Sequence, residues 1–515
     1  MKKLFTLFAA ALVMLAAASC EKNEVLPGGN VEGKVITLKA SINNGKTKTS
    51  LGASVAVPES DPVKYTYPVL WSEGDAIAVI QGDVVYKFNL NSVDNTGQSG
   101  TFALDNTLNY QTEFDEDGEI KAFYPYSGVS LESGEIKYNV PATQIYAENS
   151  FGNGASPMAA YRAAEVTDAL DFVNLFGVLK LQFKGAETIK SIVVTSDKKF
   201  NGASTVSIGT DGVAIDFVSE EVENDKKVTL TCGDNGVALD SETVTEFLIA
   251  LPQSLNSEIY SLQIIINSTA GETSKVCNLN TQQAIQAGSI KKMPVIDFNI
   301  AYIENGVYLG DGVAIPCAIG GETKTLIWAP FNCGYHVTNY PKGKYYQWGR
   351  KDGQSYGTSN RKSANSDSYS NPDKDTYYTN WNFSEDWTGD NNPCPDGWRV
   401  PTKDELSALR QHYKKYGYTP RGTWFSGAVE YSDGMSNAIF LDAAGCNIPS
   451  GAGYQQNNEV GYYWTSTIDG DNREKNYVLS FNSTLTSNST PGINTYYTNY
   501  NSKGRTSGCT IRCVK

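Results

Sequence analysis

The residues with the clearest chemical potential lie in "NPCPDGWRVPTKDELSAL", residues 392–409. This stretch combines a cysteine, a tryptophan and two adjacent acids, Asp404 and Glu405, in a chain with only two histidines. Two carboxylates could serve as a general acid and a general base. However, Thr402 followed three positions later by Glu405 is also a capping box, which satisfies backbone N–H groups of a first helical turn. Both acids also suit the positive end of a helix dipole. We therefore assign them to a helix start, and we expect no catalytic residues here.

Apolar residues after this start recur at helical spacing. Leu406, Leu409 and Tyr413 are expected to face a sheet, with Trp398 covering the entry to the helix. This pattern indicates core packing rather than a cofactor site.

Zinc binding is the main alternative for the cysteines. The chain has no CxxC pair, and His336 and His412 have no ligand-like spacing to any cysteine. We therefore expect no metal and no cofactor.

Disulfides are the other use of the cysteines, eight of which follow Cys20. Cys509 and Cys513 lie ~13 Å apart along an extended strand, beyond disulfide reach, so each needs a partner elsewhere or stays free. Eight cysteines allow 105 pairings. We favour Cys394 with Cys513 and Cys446 with Cys509. Cys232 and Cys277 are either paired or simply buried.

The N-terminus, "MKKLFTLFAAALVMLAAASC", has the layout of a secretory signal, with two lysines, an apolar run and small residues before Cys20. It resembles a bacterial lipobox, which implies cleavage after residue 19 and lipidation of Cys20, although Ala17 stands where the family usually has leucine. The alternative is ordinary signal cleavage that leaves Cys20 as a stray thiol. Residues 20–33 are polar and Gly/Pro-bearing, and are expected to form a flexible tether.

Composition narrows the class of protein. Forty-two Lys and Arg against 56 Asp and Glu give a net charge of −14. Phosphate backbones would be repelled, so no nucleic-acid partner is expected.

Short alternating apolar runs between turn signals dominate residues 34–300, for example "VITLKASI", "VVYKFNL" and "LQIIIN". They predict strands of β-sandwiches, and the length of the chain suggests about three domains. We place two sandwiches at 34–170 and 171–300. Beyond residue 300, tryptophan and cysteine become frequent, which indicates a third domain at 301–515.

Four motifs in the first two domains, "VLWSEGDAIAVI", "KAFYPYSG", "FGVLKLQF" and "KKMPVIDFNI", resemble the fimbrillin family of Bacteroidales lipoproteins. The resemblance implies two tandem transthyretin-like β-sandwiches and polymerisation into type V pili by donor-strand exchange. A protease removes the first strand in that process, and a strand from a neighbouring subunit replaces it. Lys46 and Lys48 are candidate processing residues; alternatively, they are exposed lysines on a strand edge.

Five motifs in the third domain, "WAPFNCGY", "YYQWGR", "CPDGWRVPTKDEL", "YYWTST" and "IRCVK", resemble the Fibrobacter succinogenes major paralogous domain. That family is similar to the α+β C-type lectin-like fold, in which a helix-start cysteine bonds to the last strand; this supports Cys394–Cys513. The calcium motifs of sugar-binding lectins are incomplete here. Formylglycine-generating enzymes share the fold and use a close cysteine pair, so an enzyme is a less favoured alternative.

Long polar segments at 355–392 and 481–504 interleave aromatics with Asn, Asp and Ser. Loops of this length are often functional, and aromatic rings offer stacking faces to a ligand. Tyr377, Tyr378, Trp381 and Trp387 are the candidate ligand-binding residues. The alternative is a solubilising surface with no ligand.

Together these observations predict a mainly β cell-surface lipoprotein, anchored in the outer membrane or carried on a fimbrium, that is not an enzyme. We expect a pilus tip or terminal subunit that accepts a donor strand and binds a glycan or a host or bacterial surface protein. If "RCVK" is tied into its own sheet, it cannot leave to fill another subunit's groove. The alternative is a surface lipoprotein that captures ligand without polymerising.

Overall fold

A computed structural model describes most of the chain from residue 35 onward. The described residues are 35–42, 50–51, 55–56, 65–66, 69–217, 222–253, 260–279, 285–354, 361–362, 377–378, 387, 389–410, 413–415, 426–430, 438–447, 454–455, 460–468, 476–482, 492–495 and 507–515. Thr37–Lys515 form one compact unit. Within the described residues, no helix is long and apolar enough to cross a membrane.

Fourteen strands precede the first predicted boundary or span it. They are β1 (Thr37–Ile42), β2 (Ser50–Leu51), β3 (Val55–Ala56), β4 (Tyr65–Thr66), β5 (Val69–Leu70), β6 (Ala76–Gln81), β7 (Val84–Val93), β8 (Ser99–Leu104), β9 (Ile120–Tyr124), β10 (Val129–Glu132), β11 (Glu135–Val140), β12 (Thr143–Ile145), β13 (Met158–Arg162) and β14 (Leu170–Asn174).

The next strands run to the start of the third predicted domain, with a 3-10 helix at Glu223–Lys226. They are β15 (Phe176–Lys184), β16 (Thr188–Ser196), β17 (Gly202–Gly209), β18 (Gly212–Phe217), β19 (Lys227–Thr231), β20 (Val237–Ala238), β21 (Thr245–Pro252), β22 (Tyr260–Ser268), β23 (Gly271–Leu279), β24 (Ile290–Lys292), β25 (Ile296–Asp297), β26 (Ala301–Glu304) and β27 (Val307–Asp311).

The remaining elements include the α-helix α1 (Lys403–Arg410) and a 3-10 helix at Gly389–Asn391. The strands are β28 (Val313–Ile319), β29 (Glu322–Trp328), β30 (Tyr346–Gln347), β31 (Arg361–Lys362), β32 (Tyr377–Tyr378), β33 (Tyr413–Lys415), β34 (Ser426–Glu430), β35 (Ala438–Asp442), β36 (Cys446–Asn447), β37 (Tyr454–Gln455), β38 (Val460–Ile468), β39 (Asn476–Asn482), β40 (Gly492–Thr495) and β41 (Gly508–Cys509).

Seven strands close into a barrel in the order β1, β14, β13, β9, β6, β7, β8. Strand β1 closes it, because it pairs antiparallel with β8 and parallel with β14. Trp71 packs against Phe102, Tyr124 and Phe172, with ring centroids 4.8, 5.7 and 5.5 Å away. Leu38, Ala40 and Ile42 of β1 are also buried, as the alternation of side chains along a strand predicts.

Two further sheets face each other across an apolar core. One has eight strands, in the order β12, β19, β16, β22, β23, β27, β26 with β20 beside β16, and the other joins β21, β15, β24 and β25. Leu181 and Phe247 from the second sheet meet Ile192 and Ile264 from the first in the same buried cluster. Alternating burial along these strands matches the pattern expected from the sequence.

Hydrogen-bonded pairing crosses both predicted domain boundaries. Strand β11 pairs with β17, and β12 pairs with β19, on opposite sides of the boundary at 170/171. Ser274 of β23 pairs with Val307 of β27 across the boundary at 300/301. The mainly β class is confirmed. The tandem sandwiches, their boundaries and the lectin-like description stay predictions.

The C-terminal region, which we define as residues 312–515, is built in its described part from small sheets and helix α1. Strand β41 pairs with both β30 and β36, and Val514 bridges to Trp328 and Arg399. Leu406 and Leu409 of α1 are buried in a cluster with residues of β28, β35 and β39, as the helical spacing predicts. The helix ends at Arg410, and Tyr413 lies instead in β33, so the third position of the predicted stripe is wrong.

Candidate functional site

A cavity of about 770 Å³ lies where the eight-stranded sheet meets the C-terminal region, and we call it the junction cavity. Its walls come from the β22–β23 turn, the β26–β27 hairpin, the segment 389–398 and Lys515. Cavities of this size accept drug-sized ligands. Seven ionisable side chains other than cysteine line it: Glu187, Glu272, Glu304, Lys351, Asp390, Asp396 and Lys515. Five are acids, so the cavity carries the same sign of charge as the whole chain.

Glu304 is placed at this cavity by a two-residue hairpin loop. Asn305 and Gly306 both have positive φ, at 51° and 74°, as a tight Asn-Gly turn requires. The Ser274 N–H donates to the Gly306 carbonyl oxygen (2.7 Å), which holds the hairpin against β23. Glu304 therefore ends β26 at a fixed point on the cavity wall.

The Glu304 carboxylate is largely buried, and its two oxygens contact different groups. Oε1 accepts the Gly334 N–H (2.7 Å), and Oε2 accepts the Tyr302 hydroxyl (3.3 Å). Burial raises the pKa of Glu304 to about 7, although these donors and Lys344 act in the opposite direction. The carboxyl can therefore both hold and release a proton near neutral pH.

Cys333 lies directly behind Glu304. Its Sγ is 4.0 Å from Glu304 Oε1, 3.0 Å from the Pro393 carbonyl oxygen and 3.2 Å from the Tyr346 hydroxyl. The Cys333 N–H donates to the Ile511 carbonyl oxygen (2.9 Å), which ties this thiol to the last segment of the chain. Burial raises the pKa of the Cys333 thiol.

A tight loop holds Cys333 in this position. Gly343 has φ of 80°, and a Cβ there would come within 2.6 Å of the Asn332 side chain and 2.8 Å of the Cys333 carbonyl oxygen. Only glycine adopts this conformation without strain and leaves that space empty. Glycine at residue 343 therefore allows this loop to hold the Cys333 thiol in position.

Three sulfur atoms meet at this point. Cys394 and Cys513 form a disulfide bond with an S–S distance of 2.08 Å, the pairing we favoured from the sequence. The ligand atoms of Cys333, Cys394 and Cys513 all lie within 4.8 Å of one another. Three thiolates so arranged would suit a soft metal ion, but only if the disulfide were first reduced.

Arg512 anchors the segment that carries Cys513. It is fully buried, and its guanidinium donates to Asn332 Oδ1 (2.9 and 2.7 Å) and to the carbonyl oxygens of Ala329 (3.1 Å), Pro330 (3.2 Å) and Phe440 (2.6 Å). A planar guanidinium with several donors suits such a cluster of acceptors. Arg512 therefore holds the last segment of the chain against the loop that contains Cys333.

The capping box predicted at the start of α1 is confirmed. The Thr402 N–H donates to Glu405 Oε2 (2.8 Å), and the Glu405 N–H donates to Thr402 Oγ1 (3.2 Å). Arg399 also donates to both Glu405 oxygens, at 2.7 and 2.5 Å. Hydrogen bonds to Arg399 and Thr402 lower the pKa of Glu405 despite its burial. These carboxylate contacts stabilise the start of the helix.

The other predicted pairing, Cys446 with Cys509, is not formed in the structure, where Cys509 keeps a free thiol. The two residues belong to adjacent strands, because Asn447 of β36 pairs with Gly508 of β41 in antiparallel register. Cys509 is a buried free thiol in the structure. Cys232 is likewise a buried thiol, and burial raises its pKa to about 11.

The predicted ligand-binding residues do not form one described surface. Trp387 is only 4% exposed and packs beside Trp348 and Trp464, and its indole N–H donates to the Arg350 carbonyl oxygen (3.2 Å). This burial corrects the sequence interpretation of Trp387: its ring faces are covered by the core and cannot stack on a ligand in this conformation.

The remaining site predictions lie wholly or partly outside the described residues. Tyr377 and Tyr378 form strand β32, which pairs with β31, and only their backbone is described. Trp381, Lys46, Lys48 and Cys20 lie outside the described residues.

Comparison with known families gives one clear match. Residues 323–515 match the family model of the Fibrobacter succinogenes major domain. This confirms the resemblance predicted for the C-terminal third, over a range that begins at residue 323 rather than 301. Cys333, Cys394 and Cys513 all lie within the matched residues, whereas Glu304 lies outside them. The junction cavity is therefore lined both by residues of the matched range and by residues that precede it.

Similarity to other proteins is weak. No curated protein matches the chain. Among solved structures, a candidate cell adhesion protein from Bacteroides ovatus ATCC 8483 matches at 14% identity, over 50% of this chain and 90% of that chain, with a TM-score of 0.31. Another from Bacteroides fragilis NCTC 9343 matches at 12% identity, over 49% and 89%, with a TM-score of 0.28. These scores are too low to carry a structural or functional argument.

Sequence reasoning missed Cys333 and Glu304 as neighbours. Cys333 was visible in "WAPFNCGY", but eight cysteines offer too many partners for spacing alone to select the trio. Glu304 stands in "YIENG", where nothing distinguishes it from an exposed turn glutamate. Cys333 and Glu304 become neighbours because β26, the loop 332–344 and the last segment of the chain contact one another in the fold.

Proposed function

We propose that this chain is a cell-surface lipoprotein that serves as the tip or terminal subunit of a type V pilus and accepts a donor strand in the place of β1. The observation that carries the proposal is the position of β1. It lies between two strands of the barrel, pairing with β8 from Thr37 to Ser41 and with β14 from Ala40 to Ile42.

Strand β1 fills an apolar slot and also forms two rows of backbone hydrogen bonds, one with β8 and one with β14. Leu38, Ala40 and Ile42 are buried; Leu38 is paired with Phe102 of β8, and Ile42 with Phe172 of β14. Burying a leucine or isoleucine contributes about 1.5–3 kcal/mol. Removal of β1 would expose this slot and two unpaired strand edges, which a strand from another chain would cover by β-augmentation.

Cleavage in the connection after β1 would free this strand from the rest of the chain. Residues 43–49 follow β1 and include Lys46 and Lys48 in "NNGKTKT". We propose these lysines as the processing site. The unpaired edges of β8 and β14 would then receive the donor.

The last segment of the chain, residues 510–515, is a poor donor strand. Cys513 is joined to Cys394, Val514 bridges to Arg399, and the Lys515 N–H donates to the Ile327 carbonyl oxygen (2.8 Å). Its release would break all of these contacts. This supports a subunit that accepts a strand through its barrel and keeps its own final strand.

We propose the junction cavity as a ligand site, together with the aromatic segment that contains Tyr377, Tyr378 and Trp381. The cavity offers carboxylates and the side-chain amides of Asn305 and Asn392. Such groups match the hydroxyls of a glycan or the polar surface of a protein. Lipidation at Cys20 would anchor the chain in the outer membrane before assembly.

The strand proposal is tested with a protease site introduced into residues 43–49. The cleaved chain is mixed with a stalk subunit from the source bacterium, and complexes are detected by gel filtration and native mass spectrometry. The proposal predicts a stable complex for the cleaved chain and none for the uncleaved chain. A cleaved chain that stays monomeric would favour a surface lipoprotein that does not polymerise.

The ligand proposal is tested by glycan-array binding of the full mature chain. Asp390→Asn combined with Asp396→Asn removes two exposed carboxylates at the cavity, and Glu322→Gln, at the start of β29, removes one that does not line it. We expect saturable binding that falls at least tenfold in the double variant and not in the control. Equal binding by all three proteins would contradict this site.

A further inference from the structure

A free thiol lies against the disulfide of the C-terminal region. The sulfur of Cys333 is within 4.8 Å of both Cys394 and Cys513, and all three residues are buried. We propose that Cys333 exchanges with the Cys394–Cys513 disulfide, so that this region interconverts between two disulfide isomers and presents the Cys394 thiol to the junction cavity. This inference is independent of pilus assembly.

The reaction is redox-neutral and needs no partner. The Cys333 S–H gives its proton to the Glu304 carboxylate, and the resulting thiolate attacks Cys513 Sγ. A Cys333–Cys513 bond forms, and the Cys394–Cys513 bond breaks. The electron pair leaves on Cys394 Sγ, which takes a proton from Glu304 or from water in the cavity. One disulfide and one thiol are present before and after the exchange.

The surroundings favour Cys394 as the leaving sulfur. Cys394 lines the junction cavity and is 7% exposed, whereas Cys333 and Cys513 are 0% exposed. A thiolate is more stable where water reaches it, and a more stable thiolate leaves faster. The Tyr302 hydroxyl contacts Cys513 Sγ at 3.7 Å, which holds the attacked sulfur inside the cluster.

Glu304 is placed to accept the proton. Its Oε1 lies 4.0 Å from the Cys333 sulfur and also accepts the Gly334 N–H. Its pKa is raised to about 7, so the carboxylate, which can accept a proton, and the carboxylic acid, which can return one, are both present near neutral pH. The cavity supplies the route by which water or a small reagent reaches the released sulfur.

The test uses the full mature chain, purified without reductant and treated in its native state with iodoacetamide. The reaction is quenched with acid, which prevents scrambling, and peptides are mapped by mass spectrometry. We expect alkylated Cys394 to accumulate together with a Cys333–Cys513 linkage. Alkylation of Cys333 with the Cys394–Cys513 bond intact would overturn the proposal, because it would mean only that a buried thiol opens to solvent. Absence of alkylation at Cys394 would also overturn it.

Matched variants give a second readout. Cys333→Ser should reduce the alkylation of Cys394 at least tenfold, and Glu304→Gln should slow it several-fold. Cys317→Ser removes another buried free thiol that lies in a different cluster, and should leave the rate unchanged. If the Cys333 variant fails to fold, the wild-type peptide map still decides the question.

Discussion

Glu304 shows how one buried side chain links the two halves of the candidate site. It is carried by the β26–β27 hairpin, it accepts an N–H from the loop that holds Cys333, and it lines the junction cavity. Its protonation state therefore couples to the stability of the whole junction.

Replacement of Glu304 by glutamine should flatten the dependence of stability on pH. The folded-state pKa of about 7 exceeds the ordinary value of 4.5, so the native state binds the proton more tightly than the unfolded state does. The bound proton therefore stabilises the native state fully below pH 4.5. This stabilisation, about 3 kcal/mol at most, is lost as the pH rises through about 7. Urea unfolding of wild type and Glu304→Gln from pH 5 to 8 measures the difference.

The control for this prediction is Glu322→Gln, which removes a glutamate with an exposed side chain. Its curve should run parallel to that of wild type. A Glu304→Gln curve that also runs parallel to wild type would show that Glu304 does not titrate in this range.

Arg512 should be among the most sensitive single positions. Arg512→Met would leave the buried acceptors Asn332 Oδ1 and the Ala329 carbonyl oxygen, and two partly buried carbonyl oxygens, without this donor. Each unsatisfied buried acceptor costs about 1–3 kcal/mol, so we expect a loss of at least about 3 kcal/mol in urea unfolding. Lys324→Met, at an exposed position on β29, should change stability by less than about 0.5 kcal/mol. A loss below 1 kcal/mol at Arg512 would contradict its anchoring role.

Helix α1 and strand β1 illustrate what local sequence can and cannot predict. The start of α1 follows from Thr402 and Glu405 alone, because a capping box uses contacts three residues apart. The closure of the barrel does not, because β1 pairs with β14 about 130 residues later in the chain. Alternation identified β1 as a strand but could not select its partners.

Loss of the N-cap side chain should weaken α1 measurably. Thr402→Ala removes the acceptor for the Glu405 N–H, and we expect a loss of about 1 kcal/mol. Ser407→Ala removes a hydroxyl from the same helix without touching the cap, and should be neutral or slightly stabilising. Thermal unfolding of both variants provides the comparison, and equal effects would argue against the cap.

A charge placed inside the barrel on β1 should loosen its two neighbouring strands. Ala40 is 1% exposed and sits between β8 and β14, so Ala40→Asp buries an unpaired carboxylate. We expect faster amide hydrogen exchange in both β8 and β14. Lys39→Asp places the same charge on the exposed face and should leave protection unchanged. Equal protection in both variants would mean that β1 contributes little to the barrel.

At the scale of the molecule, hydrogen-bonded strands join the regions on either side of both predicted boundaries. Strands β11, β12 and β27 each pair across 170/171 or 300/301. Composition reports where residue types change and carries no information on which strands pair. The burial of Trp387 has the same cause, because a polar flanking sequence could not reveal the core formed by Trp348 and Trp464.

The central claim, that the β1 slot accepts a strand from another molecule, is tested most directly by strand replacement. The full mature chain, cleaved within residues 43–49, is incubated with an isotope-labelled peptide of residues 35–44 and analysed by native mass spectrometry. The account predicts that the labelled peptide replaces the original strand with a stoichiometry of one per chain. It also predicts that the same peptide with aspartate at the position of Ala40 does not. Retention of the original strand with no incorporation of label, even in mild denaturant, would contradict it.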